Sequence, residues 1–181
     1  MTAPAAVKKQ SAEQLTSLRL SGIVNDSIVD GPGLRLTVFA QGCFHNCEGC
    51  HNPNTHDPEG GYWAEIRDIL IKVDKNPLLD GVTLSGGEPF LQAAVMAELA
   101  EEVASRGLSV WVYTGFTWEE LLTREDFMPL VLQSDCVVDG RYNEALRSLS
   151  LQFKGSANQR IIDVRKSLKL GRVTEMSCDA C

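Results

Sequence analysis

The sequence predicts an α/β fold, specifically a partial (incomplete) TIM-type β/α barrel. Three observations predict it. Apolar strand-like runs alternate with helix-period segments from about residue 34 to residue 138, the pattern of a parallel sheet. Polar motifs stand directly after the strand-like runs, and in a parallel sheet those strand ends share one face. Only about four βα units are visible in the 181 residues, too few for an eight-stranded barrel of ~250 residues.

Each element has a local reason. Residues 1–17 are small and polar and are expected to form a flexible tail. Leu18 to Val24 alternates weakly and predicts a short strand. "DGPGLR", Asp30 to Arg35, has glycine on both sides of Pro32 and predicts a turn. Leu34 to Ala40 is β-branched and apolar, a buried strand. "YWAEIRDILIKVDK" places Trp63, Ile66, Ile69, Leu70 and Val73 on one helical face. Val82 to Leu84 is a strand that runs into the glycine turn of "SGGEP". The next helix carries Leu91, Val95, Leu99 and Val103 at a spacing of four and stops at Gly107. "LSVWVYTG" is a strand. Thr117 and Glu120 have capping-box spacing and open a helix. Cys136 to Gly140 is a strand and a turn. "LSLQF" and "QRIIDV" are expected strands on either side of "KGSAN". The main domain is expected over residues 18–170, with a C-terminal tail over 171–181.

Bulk properties narrow the function. A hydrophobic content of 44% and a charged content of 23% describe an ordinary globular protein. A net charge of −7 argues against nucleic-acid binding through a basic surface. No apolar run reaches the ~20 residues of a membrane span, and "MTAPAAVKKQSAEQ" lacks the apolar stretch of a secretory signal. A cytoplasmic location is expected. In a reducing compartment, six cysteines point to metal or redox chemistry before disulfides.

Cys43, Cys47 and Cys50 form C-x3-C-x2-C. Structural zinc usually takes paired Cys-x2-Cys units, or two cysteines with two distant histidines. Here three thiols are close in sequence with no second pair beside them. Iron–sulfur clusters normally take four thiolates, so three would leave one iron without a protein ligand, as a catalytic metal keeps a position for substrate. A zinc knuckle completed by His45, His51 or His56 is the alternative. "SGGEP" alone could be a plain turn into a helix. Standing one βα unit after the cysteines, it gains a functional reading: two glycines allow close backbone approach, and Glu88 offers a carboxylate.

With these motifs in hand, the sequence resembles the radical S-adenosylmethionine (SAM) enzymes, whose signature is C-x3-C-x2-C after the first barrel strand. "DGPGLR", "GCFHNCEGCHNPNTHD" and "VVDGRYNEALRSLSLQFKGSANQRIIDV" are similar to the activating enzymes of glycyl radical enzymes, and within them to the activating proteins of anaerobic (class III) ribonucleotide reductase. The likeness runs from about Ile23 to Val164. The resemblance implies a barrel of the radical SAM type and a 4Fe–4S cluster on Cys43, Cys47 and Cys50, with SAM as ligand of the fourth iron. It implies reductive SAM cleavage to methionine and a 5′-deoxyadenosyl radical, which takes the α-hydrogen of a glycine in the reductase. Ser85, Gly86, Gly87 and Glu88 would face the methionine amino end, with Thr114 at the next strand end. Gly49, Cys50 and His51 would lie near the adenine. Asp139, Gly140 and Arg141 match a stretch that sits by the SAM carboxylate and a monovalent cation in the pyruvate formate-lyase activator, where Arg141 could pair with the carboxylate. Asp30, Gly31, Pro32 and Gly33 would meet the partner's glycine loop. The implied partners are the catalytic subunit of anaerobic ribonucleotide reductase and a flavodoxin or ferredoxin as electron donor. Two positions depart from the pattern. Gly49 stands where the wider family often has an aromatic, and Tyr113 where the pyruvate formate-lyase activator has an aspartate, which weakens the case for the cation.

The other candidates are assigned blander roles. Cys136 is expected to be a buried inert thiol. Cys178 and Cys181 form "CDAC", read as a reduced tail, with a redox pair or half of a metal site as the alternative. His45 and His56 are expected on the loop surface. Competing functions are an activase for another glycyl radical enzyme, or a non-enzymatic iron–sulfur or zinc protein, which would leave "SGGEP" without a role.

Overall fold

A computed structural model of the chain describes residues 16–176. Cys178 and Cys181, and with them the "CDAC" reading, lie outside the described residues. Seven strands form one sheet in the order β3-β1-β2-β4-β5-β6-β7. They are β1 (Ser17–Ser27), β2 (Arg35–Ala40), β3 (Tyr62–Glu65), β4 (Gly81–Gly86), β5 (Ser109–Tyr113), β6 (Cys136–Asp139) and β7 (Arg160–Asp163). Among the described residues five α-helices accompany them: α1 (Ile66–Lys75), α2 (Ala93–Ser105), α3 (Trp118–Leu122), α4 (Met128–Gln133) and α5 (Val164–Leu170).

The parallel expectation holds for the centre of the sheet, where β2, β4, β5 and β6 run parallel. Antiparallel strands, which that expectation did not cover, stand at both edges. β1 pairs antiparallel with β2 and with β3, and β7 pairs antiparallel with β6. The architecture is a mixed α/β sheet. The central strands read as continuous apolar runs because both faces are covered: Val82, Leu84, Val110, Val112, Val137 and Val138 are all fully buried. On the helix side, Met96, Leu99 and Val103 of α2 pack with Leu130 and Val131 of α4 in the same core. Among the described residues no helix is long and apolar enough to cross a membrane.

Four local expectations are corrected. Trp63 is not on a helical face; it belongs to β3, opposite Arg19 of β1, and is 65% exposed. The strand satisfies the edge of β1, and the helix begins only at Ile66. Leu91 sits in a 3-10 turn (Pro89–Gln92) ahead of α2, opened by the Glu88 carboxylate accepting from the Phe90 amide at 3.0 Å. "LSLQF" is irregular: its alternation mimics a strand, but Leu149 is 92% exposed and buries nothing. Residues 171–176 are no loose tail; they run beside β7 through the Ile162–Glu175 bridge and the Met176 amide to the Ile161 carbonyl at 2.8 Å. The capping box at Thr117 and Glu120 is present as expected.

Candidate functional site

Because β2, β4, β5 and β6 are parallel, their C-terminal ends align. Ala40 lies opposite Gly86, Leu84 opposite Val112, and Tyr113 opposite Val138. A cleft of about 610 Å³ opens along this edge. Its wall includes Cys43, Cys47 and Cys50, Ser85 to Gly87, Thr114, Gly140, His51 and Asp30. Motifs that are up to 110 residues apart in sequence (Asp30 and Gly140) therefore share one cavity.

The cysteine loop is shaped by its own backbone. Gly42 donates to the Thr55 carbonyl at 2.8 Å and Cys43 to the His56 carbonyl at 3.1 Å, closing the loop at its base. The Gln41 side-chain amide donates to the carbonyls of Asn54 and Asp57. Asn46 and Gly49 take left-handed backbone conformations, at φ 49° and 68°, which turn the chain between the cysteines. All three thiols are half-buried and free of disulfides. Burial pushes the Cys43 thiol above its ordinary value. Among the described residues no three His, Cys, Asp or Glu side chains already stand at the mutual separation of a metal site. The donor set, three thiols from one short loop on a common wall, supplies three of the four thiolates that an iron–sulfur cluster normally takes.

The glycine turn is packed directly against that loop. A Cβ at Gly87 would lie 2.3 Å from the Gly42 carbonyl oxygen, and one at Gly86 (φ 97°) would lie 2.6 Å from the Ala40 amide nitrogen. Only glycines allow this approach. The Gly87 amide donates to the Ala40 carbonyl at 2.9 Å, and the Glu88 amide donates to the Gly42 carbonyl at 2.8 Å.

Glu88 and His45 hold positions that sequence reasoning did not foresee. Glu88 is 1% exposed. Its carboxylate accepts from the Thr114 hydroxyl at 2.9 Å, the Gly115 amide at 2.8 Å and the Phe90 amide at 3.0 Å. His45 Nε2 lies 2.8 Å from Glu88 Oε2, and the imidazole meets the Phe116 ring edge-on at 4.7 Å. The surface assignment of His45 is thus corrected: its side chain is 9% exposed and points inward. His56 is half-buried and lines the cleft. The residue that draws His45 in is 43 positions away, beyond the reach of local pattern reading.

The remaining candidates divide. His51 is exposed, and its ring packs against that of Tyr142, also a wall residue, tilted at 49° with the centroids 4.6 Å apart. Gly49 faces the Glu144 carboxyl, the far end of an exposed side chain, and its left-handed φ of 68° is what disfavours an aromatic residue there. Asp139 is buried, its carboxylate accepting from the Trp118 amide at 2.7 Å and from Arg160 Nε at 3.1 Å. Arg141 is exposed and is not among the cleft-lining residues. Tyr113 donates its hydroxyl to the Phe153 carbonyl at 2.8 Å.

In "DGPGLR" only Asp30 reaches the cleft. It accepts from the hydroxyls of Ser27 at 2.5 Å and Thr37 at 3.0 Å, while its carbonyl accepts from Thr83 at 2.7 Å. Gly31 and Gly33 are explained from below. A Cβ at Gly31 would meet Arg35 Cδ at 2.8 Å, and one at Gly33 (φ 72°) would meet Asp80 Oδ2 at 2.2 Å. Arg35 is fully buried; it donates to Thr83, Ser109 and the Pro32 and Val82 carbonyls, and burial lowers its pKa to about 10.

Comparison with known proteins fits this arrangement. The model of a 4Fe-4S single cluster domain matches residues 29–162. An anaerobic ribonucleoside-triphosphate reductase-activating protein of Vibrio cholerae is 34% identical over 141 residues, covering 73% of this chain and 89% of the relative. That of Escherichia coli is 33% identical over 146 residues, covering 76% and 94%. That of Enterobacteria phage T4 is 30% identical over 140 residues, covering 74% and 86%. Among solved structures, QueE from Escherichia coli has a TM-score of 0.47 at 17% identity, covering 56% of this chain and 53% of that one, too slight a likeness to bear on the fold. By the matched domain and by these relatives, the chain belongs to the family of anaerobic ribonucleoside-triphosphate reductase-activating proteins, built on a 4Fe-4S single cluster domain.

Proposed function

We propose that this protein is a radical SAM activase that installs a glycyl radical on an anaerobic ribonucleoside-triphosphate reductase. The observation that carries the proposal is the shared cleft: the three thiols and the Ser85–Gly87 turn line one cavity at the C-terminal edge of the parallel strands. Family membership supplies the partner. The mixed sheet is read as the arc of an incomplete radical SAM barrel, with the domain over residues 18–170.

In this reading Cys43, Cys47 and Cys50 hold a 4Fe–4S cluster through three irons. When bound, the cluster and SAM supply one-electron chemistry that ends in hydrogen abstraction from glycine. The chain's own residues orient and exclude. Gly86 and Gly87 bring the backbone close enough to receive the methionine end. His51 and Tyr142 give the nucleoside an aromatic wall. Glu88, saturated by Thr114, Gly115, Phe90 and His45, acts by locking the cysteine loop to the ends of β4 and β5. Asp30 stands where the partner's glycine loop would enter. A flavodoxin or ferredoxin in the cytoplasm is the proposed electron donor.

Anaerobic reconstitution tests this. The chain should bind about four irons, and SAM should change the EPR spectrum of the reduced cluster. An unaltered spectrum contradicts the proposal.

A further inference from the structure

The stretch "FKGSANQR" is left without a role by the resemblance, yet it is an ordered device. Gln159 is buried and clasps the loop: its Oε1 accepts from the amides of Gly155 at 2.8 Å and Ser156 at 3.2 Å, and its Nε2 donates to the Gly140 carbonyl at 3.0 Å. Phe153 is held left-handed at φ 55°, a conformation that costs a non-glycine residue free energy. Two contacts impose it: the Tyr113 hydroxyl donates to its carbonyl, and its ring meets Trp111 edge-on at 5.8 Å. The outcome of this strain is the placement of the next residue. Lys154 lines the cleft, half-buried.

The charge of Lys154 is unanswered among the described residues. Its Nζ makes one bond, to the Gln159 carbonyl at 3.0 Å, and an ammonium has three donors. Among the described residues no Asp or Glu pairs with it, and it is the one lysine or arginine on the cleft wall. Arg141, the cation expected to face a carboxylate, is exposed and outside that wall. Asp139 is taken up by Arg160 and Trp118. A half-buried, preoriented cation in a ligand cleft calls for an anion.

We propose that Lys154, and not Arg141, binds the α-carboxylate of SAM, and that the strained Phe153 and the Gln159 clasp exist to present it. The inference rests on the function proposed above. It makes Lys154 a ligand-binding residue, with Phe153 and Gln159 as positioning residues. It also accounts for the 140–159 segment being folded back onto the cleft: the segment delivers the cation that the β6 end itself does not provide.

The test is SAM affinity in the cluster-loaded protein, measured by equilibrium binding and by the SAM-induced change in the EPR spectrum. Lys154→Met should weaken SAM binding about 10- to 100-fold, the loss of one charge-assisted bond, at unchanged iron content. Lys154→Arg should recover most of it, and Arg141→Met should cost clearly less than Lys154→Met. With decarboxylated SAM as probe, wild type and Lys154→Met should bind alike, because the group that Lys154 reads is gone. Equal or reversed losses for the two variants overturn the assignment, as does a Lys154→Met defect that persists undiminished with decarboxylated SAM. If SAM fails to perturb the wild-type cluster at all, the function itself is refuted, an outcome distinct from a wild type that binds SAM and a Lys154→Met variant that binds it equally well.

Discussion

Glu88 shows how one residue can carry a site without reacting. Its buried carboxylate is the common acceptor for groups from the β4 end, the β5 end and the cysteine loop. Replacing it with alanine orphans several buried donors at once, each costing about 1–3 kcal/mol. Glu88→Ala should destabilise the cluster-free protein by about 3 kcal/mol in urea unfolding; a loss under about 1 kcal/mol would contradict the role of lock. His45→Ala removes one donor and should cost less, about 1 kcal/mol. The thiols predict the opposite pattern. Cys47 is half-buried in a loop closed by other residues, so Cys47→Ala should leave the far-UV circular dichroism unchanged while iron content and SAM cleavage collapse. Retained cleavage would falsify the cluster assignment. These roles were unequally legible. The cysteine spacing is local and was readable, whereas His45 looks like any loop histidine until the fold brings Glu88 to it.

At the scale of elements, the β6 end is a joint. Asp139 takes the Trp118 amide at the start of α3 and the guanidinium of Arg160 at the start of β7. Arg160 also reaches Glu119, whose carboxyl it holds below the usual range by hydrogen bonding. Burial decides which contact matters. Asp139 is 1% exposed, and Glu119 is 62% exposed. Asp139→Ala should cost about 2–3 kcal/mol, and Glu119→Gln about 0.5 kcal/mol or less, because an exposed pair is screened by water. Thermal or urea denaturation of both variants checks the ordering, and equal effects would contradict it. The elements themselves were legible where burial imposes a long pattern. β2, β4, β5 and β6 are continuous apolar runs, and α2 carries a helical stripe. α4 and α5 were not legible because each is too short for a stripe, at 6 and 7 residues. For α5 the caps did offer a signal: the Asp163 carboxylate accepts from the Lys166 amide, and Gly171 closes the helix at φ 64°. The direction of the edge strands was not legible because it is a tertiary property, and "YWAE", read as the start of a helix, pairs with β1 residues 42 to 48 positions away.

At the scale of the molecule, parallel strands do the organising. They bring the cysteine loop, the glycine turn, Thr114 and Gly140 to one edge, and the cleft follows from that alignment. The antiparallel strands at either side serve it differently. β1 delivers Asp30 to the cavity through the loop that follows it, and β7 returns the chain so that Lys154 and Gln159 close the far wall. Val29 and Val24 line the cleft and are exposed by 71% and 46%, apolar surface that suits a protein partner's loop better than a free polar substrate. The central claim is that this cleft acts on such a partner. It is tested most directly by incubating the cluster-loaded protein with SAM, a reducing flavodoxin and the anaerobic ribonucleotide reductase catalytic subunit in the absence of oxygen, with EPR as readout. The account predicts a glycyl radical signal on the reductase that is absent with Cys47→Ala. A wild-type protein that holds its cluster and binds SAM, yet leaves the reductase without a radical, would contradict it.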